Sequence, residues 1–150
     1  MNEKELRRQI QQLCKHQRFA VIATHNDKQS YAHLVAFTST SDLRVLLFAT
    51  KRDTQKYYNI KKNVRIAVLI DNRENSPFDF SDAITVTALG NAKEAKNSYE
   101  EYRKLLLEKH PDLSMFLADP LCTLIEVHVK AYQVVQKFEQ VQILKIADEV

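Results

Sequence analysis

Leu47-Phe48-Ala49-Thr50-Lys51-Arg52-Asp53-Thr54-Gln55-Lys56 joins an apolar strand directly to the start of a helix crowded with cations. A helix start already has unpartnered amide N–H groups and roughly half a positive charge from the macrodipole, which favours Asp and Glu there and disfavours Lys and Arg. Lys51, Arg52 and Lys56 break that preference. With Asp53 or Thr54 as N-cap, all three surround the point where exposed amides best hold an anion such as phosphate, and Thr54 adds a hydroxyl donor. The plain alternative is a solvated run of charges. Two cations before the cap and one about a turn inside favour the phosphate site.

The segments on either side of this stretch read as strands and helices of one sheet-centred chain. Glu3 to His16 is an amphipathic helix with Leu6, Ile10, Leu13 and Cys14 on one face and Asn2 with Glu5 as its cap. Phe19 to Thr24 is a continuous apolar run, as in a strand covered on both faces, and His25 to Gln29 turns it into a returning strand, Tyr31 to Thr40. A third strand, Arg44 to Thr50, follows at once. After it the helix is expected over Asp53 to Lys62, with Tyr57 and Ile60 inward and Lys61 and Lys62 suited to the dipole at its end. Val64 to Ile70 follows as a strand, with Val64, Ile66, Val68 and Ile70 on one face. Asp71 to Asp82 reads as a loop whose Phe78 and Phe80 are expected to cover a core edge, the alternative being a lid over a ligand.

Ile84 to Leu89 alternates, and Gly90 marks a bulge or a close backbone approach. Ser98 with Glu101 predicts a capping box that opens a helix running to Lys109 and stopped at Pro111, with a short helical turn within Asp112 to Asp119. The last long strand, Thr123 to Lys137, sets Ile125, Val127, Val129 and Ala131 against Glu126, His128, Lys130 and Tyr132, and Val141 to Ile146 adds another. Six or seven mostly antiparallel strands with peripheral helices predict an α+β fold around a closed or partly closed β-barrel, because closure removes exposed sheet edges.

The 150 residues fit one domain, residues 1–150, large enough to bury about 70% of the surface of the unfolded chain without disulfide or metal. Cys14 and Cys122 are far apart and in apolar surroundings, so both are expected to be free, in a reducing cytoplasm. No apolar run approaches a membrane span, and a net charge of +3 gives no general case for nucleic acid. Gly90 is the only glycine, which excludes the glycine-rich loops of dinucleotide sites and P-loop NTPases; phosphate must be held by side chains and a helix start. Histidines 16, 25, 33, 110 and 128 lack metal-ligand spacing, and no serine sits in a nucleophile elbow. No metal site and no protein acid, base or nucleophile is therefore assigned. His128 is expected to be a solvated surface residue; His33, on a strand that leads towards the basic stretch, either lines a pocket or is structural.

Six segments taken together carry a family resemblance: Phe19-Ala20-Val21-Ile22-Ala23-Thr24, Ala32-His33-Leu34-Val35-Ala36-Phe37, Leu47-Phe48-Ala49-Thr50, Thr54-Gln55-Lys56, Asn59-Ile60-Lys61-Lys62-Asn63-Val64-Arg65-Ile66-Ala67 and Gly90-Asn91-Ala92. In order and spacing they resemble the pyridoxamine phosphate oxidase-like FMN-binding split-barrel family, over roughly residues 15 to 135. The resemblance implies an α+β antiparallel split barrel of six to seven strands, a homodimer, FMN at its interface, and an oxidoreductase acting on a small molecule the sequence does not name. By the same resemblance Thr50, Lys51 and Arg52 lie along the cofactor, Thr54, Gln55 and Lys56 contact its phosphate, and His33, Val35, Ala36 and Phe37 face the flavin ring. Gln55 departs from the Arg or Lys that members often carry there, which removes one cation of the clamp unless Arg52 compensates. The chain also lacks the C-terminal Trp- and Arg-bearing segment of true pyridoxamine phosphate oxidases, so that activity is not expected. Two other functions fit the same fold. One is haem binding or degradation, with His25, His33 or His128 as axial ligand; the other is a non-catalytic module for another phosphorylated cofactor such as a deazaflavin.

Overall fold

In the computed structural model, which describes residues 1–146, seven antiparallel strands form one sheet that closes on itself. β1 (Phe19–Asn26), β2 (Gln29–Ser39) and β3 (Val45–Lys51) follow through short turns, and β4 (Arg65–Asp71), β5 (Ile84–Glu94), β6 (Cys122–Gln136) and β7 (Gln140–Lys145) complete the order β3-β2-β1-β4-β5-β6-β7. Closure depends on the length of β6. One of its edges pairs with β5 over Ile125–Gln136, while the other is divided between β3, over Cys122–His128, and β7, over Ala131–Gln136. The β3–β6 ladder shuts six strands into a barrel and covers the edge that β3 would otherwise expose. The α+β split barrel expected from the sequence is therefore present.

Two helices plug the barrel ends. α1 (Glu3–His16) is capped by Asn2, whose side chain accepts from the Glu5 amide, and buries Leu6, Ile10, Leu13 and Cys14. It lies at the β2–β3 turn, where Gln11 Nε2 donates to the Ser41 carbonyl at 3.1 Å. α2 (Gln55–Lys62) covers the other end and adds Ile60 to the core that holds Ile22, Phe37, Val68 and Tyr132. Between β4 and β5 comes the short α3 (Asp79–Asp82); α4 (Tyr99–Lys109), a 3-10 turn at Pro111–Leu113 and α5 (Ser114–Ala118) lie between β5 and β6. Leu106, Leu117 and Leu124 form a second, smaller core under these last helices. Cys14 and Cys122 are free and buried.

Several local expectations are corrected. α2 starts at Gln55 because Thr54, not Asp53, takes the cap. Val64 lies outside β4 and is exposed. Ser98 stands at the start of α4, but its hydroxyl donates to Glu126 Oε2 at 2.9 Å instead of capping, so the capping box does not form. Phe78 and Phe80 are 73% and 72% exposed and cover no core edge. The polar face read into β6 also fails. Leu89 pairs with Ala131 but Gly90 pairs with Val129, so Lys130 is an extra residue and the alternation shifts phase. Before this bulge Ile125, Val127 and Val129 are buried; after it Tyr132 and Val134 are. Tyr132 donates its hydroxyl to the Leu43 carbonyl at 2.8 Å, which satisfies the one polar group that the shift buries there. Gly90 is the close approach anticipated, since a Cβ there would lie 2.4 Å from the His128 carbonyl oxygen.

Candidate functional site

The turn from β3 into α2 is built on threonine hydroxyls. Thr54 Oγ1 accepts from the Tyr57 amide at 3.3 Å, donates to the Lys51 carbonyl at 2.8 Å and lies 3.1 Å from Thr50 Oγ1, itself fully buried. The amides of Gln55 and Lys56, in the first turn, have no acceptor within the helix and face outward from its start. A chain of hydrogen bonds that runs inward from exposed Gln55 fixes this start to the barrel: Gln55 Nε2 donates to Asn59 Oδ1 at 2.7 Å, and buried Asn59 donates from Nδ2 to Thr24 Oγ1 at 3.0 Å.

The three cations of the stretch do not converge. Lys51 Nζ is 3.2 Å from Asp119 Oδ2 and 5.7 Å from the centre of the Phe116 ring. Arg52 donates from Nε and Nη2 to Glu94 Oε2, at 3.3 and 3.1 Å, and from Nη1 to the Pro120 carbonyl at 3.1 Å. Lys56 has no hydrogen-bond or ion-pair partner among the described residues, and partial burial holds its ammonium below the usual lysine pKa. Near it on β2 is His33, stacked on Tyr31 with ring centroids 6.3 Å apart. Burial, and then the charge of Lys56, lowers the His33 pKa, so its ring is neutral at pH 7. His33 Nδ1 is buried with no hydrogen-bond partner, a rare condition for a native polar atom.

The structure thus gathers Thr50, Thr54, Gln55, Lys56 and His33 around the helix start and ties Lys51 and Arg52 to carboxylates. Val35 and Phe37 point inward and belong to the core, while strand alternation puts Ala36 on the outer face. Phe37 is further engaged, its carbonyl 2.8 Å from His110 Nε2 and its ring 4.0 Å from Lys109 Nζ. His128 is exposed, as expected, and its Nε2 lies 2.8 Å from Glu126 Oε1. Four residues that sequence reasoning assigned no role shape the site: Thr24, Asn59, Glu94 and Asp119. Only Asn59 left a trace, as a polar residue one turn after the cap on the face that carries Ile60. Among the described residues no cluster of His, Cys, Asp or Glu could hold a metal, and no helix is long and apolar enough to cross a membrane.

Glu94 sets the electrostatics on the far side of α2. It accepts from Tyr57 Oη at 2.6 Å and Thr123 Oγ1 at 2.9 Å, and pairs with Arg52 and Lys61. Burial works to raise its pKa, but these hydrogen bonds and the Arg52 charge outweigh it and bring the carboxyl down to about 2. A folded pKa below the ordinary 4.5 means that this contribution to stability is complete above about pH 4.5 and is lost as pH falls towards 2. Glu94→Gln should remove about 1–2 kcal/mol at pH 7, after allowance for solvent screening, and flatten the acid limb between those pH values. Urea unfolding at pH 7, 4 and 3, followed by circular dichroism, checks both; equal pH dependence of variant and wild type would contradict the assignment.

Residues 6–138 match the sequence model of the family described as pyridoxamine 5'-phosphate oxidase. Among solved structures, general stress protein 26 from Bacillus anthracis str. Sterne is similar at a TM-score of 0.74 and 21% identity, over 95% of this chain and 99% of that one. A heme binding protein from Mycobacterium smegmatis gives 0.81 at 11% identity, over 93% of this chain and 57% of that one. An FAD-binding protein from Mesorhizobium loti gives 0.62 at 13% identity, over 82% and 88%. At such identities the likeness is one of fold. No curated protein matches the chain.

Proposed function

Because this chain belongs to the pyridoxamine 5'-phosphate oxidase family, we propose that it binds FMN with the flavin phosphate at the start of α2 and serves as an FMN-dependent oxidoreductase. Lys56 carries this reading. A partly buried lysine without a carboxylate partner, in the first turn of a helix whose leading amides are open, is costly unless an anion neutralises it. The donor set suits a phosphate: Lys56 Nζ and the first-turn amides, with the Thr54 hydroxyl already committed to the Lys51 carbonyl as the cap. His33 offers a neutral ring with an unsatisfied nitrogen beside that lysine, a hydrogen-bond partner for the rest of the cofactor. The side chains of Val35 and Phe37 stay in the core, and Ala36 is the β2 residue between them on the outer face. When bound, FMN supplies hydride or electron transfer, and the chain supplies binding, orientation and a covered site. Arg52 does not replace the cation missing at Gln55, because Glu94 and Pro120 hold its guanidinium. The clamp therefore has one lysine, and modest FMN affinity is expected.

The reading includes a homodimer, supported by an apolar outer sheet face. Val21 pairs with Leu34 on one side and Leu69 on the other, Ala23 with Ala32 and Ala67, and Ala67 with Leu89, giving two adjacent apolar rows across β2, β1 and β4, the second of which continues onto β5. Leu34 is 67% exposed and Leu89 47%. A contiguous apolar patch of this kind marks an interface, and a self-complementary face suits a two-fold pair that closes over a flavin. The two buried free thiols favour the cytoplasm as its compartment.

The visible spectrum of the purified protein, before and after adding FMN, tests the proposal. Flavin absorption bands that stay with the protein through gel filtration are expected. A colourless protein that fails to retain added FMN would overturn the reading, and a Soret band would replace it with haem binding on the same fold.

A further inference from the structure

Phe78 and Phe80 stand exposed in the loop between β4 and β5, and Phe80 packs on Phe138 of the β6–β7 turn with ring centroids 5.4 Å apart. This loop is not slack. The Asp79 carboxylate accepts from the amides of Glu74, Asn75 and Ser76, at 2.8 to 3.3 Å, and holds the aromatic residues on a pre-formed turn. We propose that this aromatic loop docks on a second copy of the chain, in the groove over Ala23, Ala67 and Leu89 at the opposite end of that copy's barrel. The proposal rests on the homodimer described above and specifies its geometry.

The two features lie at opposite ends of the sheet. The loop leaves β4 at Asp71, which pairs with Thr85; the groove lies where Arg65 pairs with Asn91. It measures about 430 Å³ and is floored by small side chains, with Arg65, His25 and Lys130 on its rim. Two copies that meet face to face can be related by a two-fold axis along the strands or across them. An axis along the strands sets like ends together, Arg65 and Lys130 against themselves and the acidic loop against itself. An axis across the strands sets opposite ends together.

Charge decides between them. Residues 71–82 hold four carboxylates, Asp71, Glu74, Asp79 and Asp82, against the single cation Arg73, which pairs with Asp71 at 3.1 Å. Lys137 and Glu139, on either side of Phe138, offset one another. No carboxylate lines the groove. Only the axis across the strands places the acidic loop against the basic rim, and like-charge contact disfavours the other arrangement. The same operation carries Phe78 and Phe80 onto an alanine floor with room for large side chains. It does so twice per dimer, which gives both exposed aromatic loops an apolar partner.

Disulfide trapping in the full-length chain tests the geometry, since Cys14 and Cys122 are buried. Phe80→Cys combined with Ala67→Cys should give a covalent dimer on a non-reducing gel after mild oxidation, while each single variant stays uncrosslinked. In parallel, Phe78→Ser/Phe80→Ser should weaken dimerisation at least about tenfold by light scattering over a dilution series. A dimer that shows no Phe80–Ala67 crosslink, or that crosslinks through Ala67→Cys alone, overturns the docking and leaves the dimer intact. A wild-type chain that is monomeric overturns both.

Discussion

Lys56→Ala is expected to weaken FMN binding by about 10- to 100-fold and to leave riboflavin binding within about twofold of wild type. The magnitude follows from a hydrogen bond to a charged group, worth about 1.5–3 kcal/mol, in a place where partial burial reduces screening by water. The selectivity follows from chemistry, since only FMN carries the phosphate. Loss of folding cannot mimic it. Lys56 makes no hydrogen bond or ion pair with the described residues, and its removal relieves a partly desolvated charge, so the variant should be as stable as wild type. Lys51→Ala is the informative comparison, because Lys51 already pairs with Asp119. Its effect on FMN affinity should be several-fold smaller. Quenching of flavin fluorescence during titration measures all of these; equal loss of FMN and riboflavin affinity in Lys56→Ala would contradict the assigned contact.

Gly90→Ala is expected to cost about 3 kcal/mol or more and to lower the melting temperature by about 6–12 °C. The new Cβ would meet the His128 carbonyl oxygen at 2.4 Å, its carbon at 3.0 Å and Val129 Cα at 3.1 Å. All three are backbone atoms, so no side-chain rotation relieves the clash, and β5 must move away from β6 at the bulge that sets the phase of the closing strand. Met115→Ala, at an exposed position on α5 outside the sheet, should cost under about 1 kcal/mol. Thermal unfolding by circular dichroism separates the two; a fall below about 2 °C for Gly90→Ala would mean that the strands do not approach so closely.

These two residues mark how far the sequence could be read. Gly90 was legible because a lone glycine that ends a clean alternation weakens a strand unless a bulge or a close backbone approach requires it, and α1 because its cap and apolar face agree. What the bulge does to β6 was not legible. Alternation alone makes Ala131 a core residue and Tyr132 an exposed one, and only the pairing with β5 shows that an extra residue, Lys130, reverses them. Ser98 looked like a cap because its competing acceptor, Glu126, is 28 residues away.

The basic stretch shows the same limit more sharply. Its position at a strand-to-helix turn and its excess of cations were visible in ten residues. Glu94, which takes Arg52, lies 42 residues further along, and Asp119, which takes Lys51, further still. Local sequence cannot reveal a counter-charge delivered by the fold. Of the three candidate cations only Lys56 is left without a partner among the described residues, and His33, expected from the resemblance to face the flavin ring, lies near it with a buried nitrogen that has no hydrogen-bond partner.

A crystal structure of the chain with FMN would show directly where the phosphate sits. The flavin phosphate is expected within hydrogen-bond distance of Lys56 Nζ and of the first-turn amides of α2. A phosphate seated elsewhere on the chain, with Lys56 still unpartnered, would contradict the assigned site.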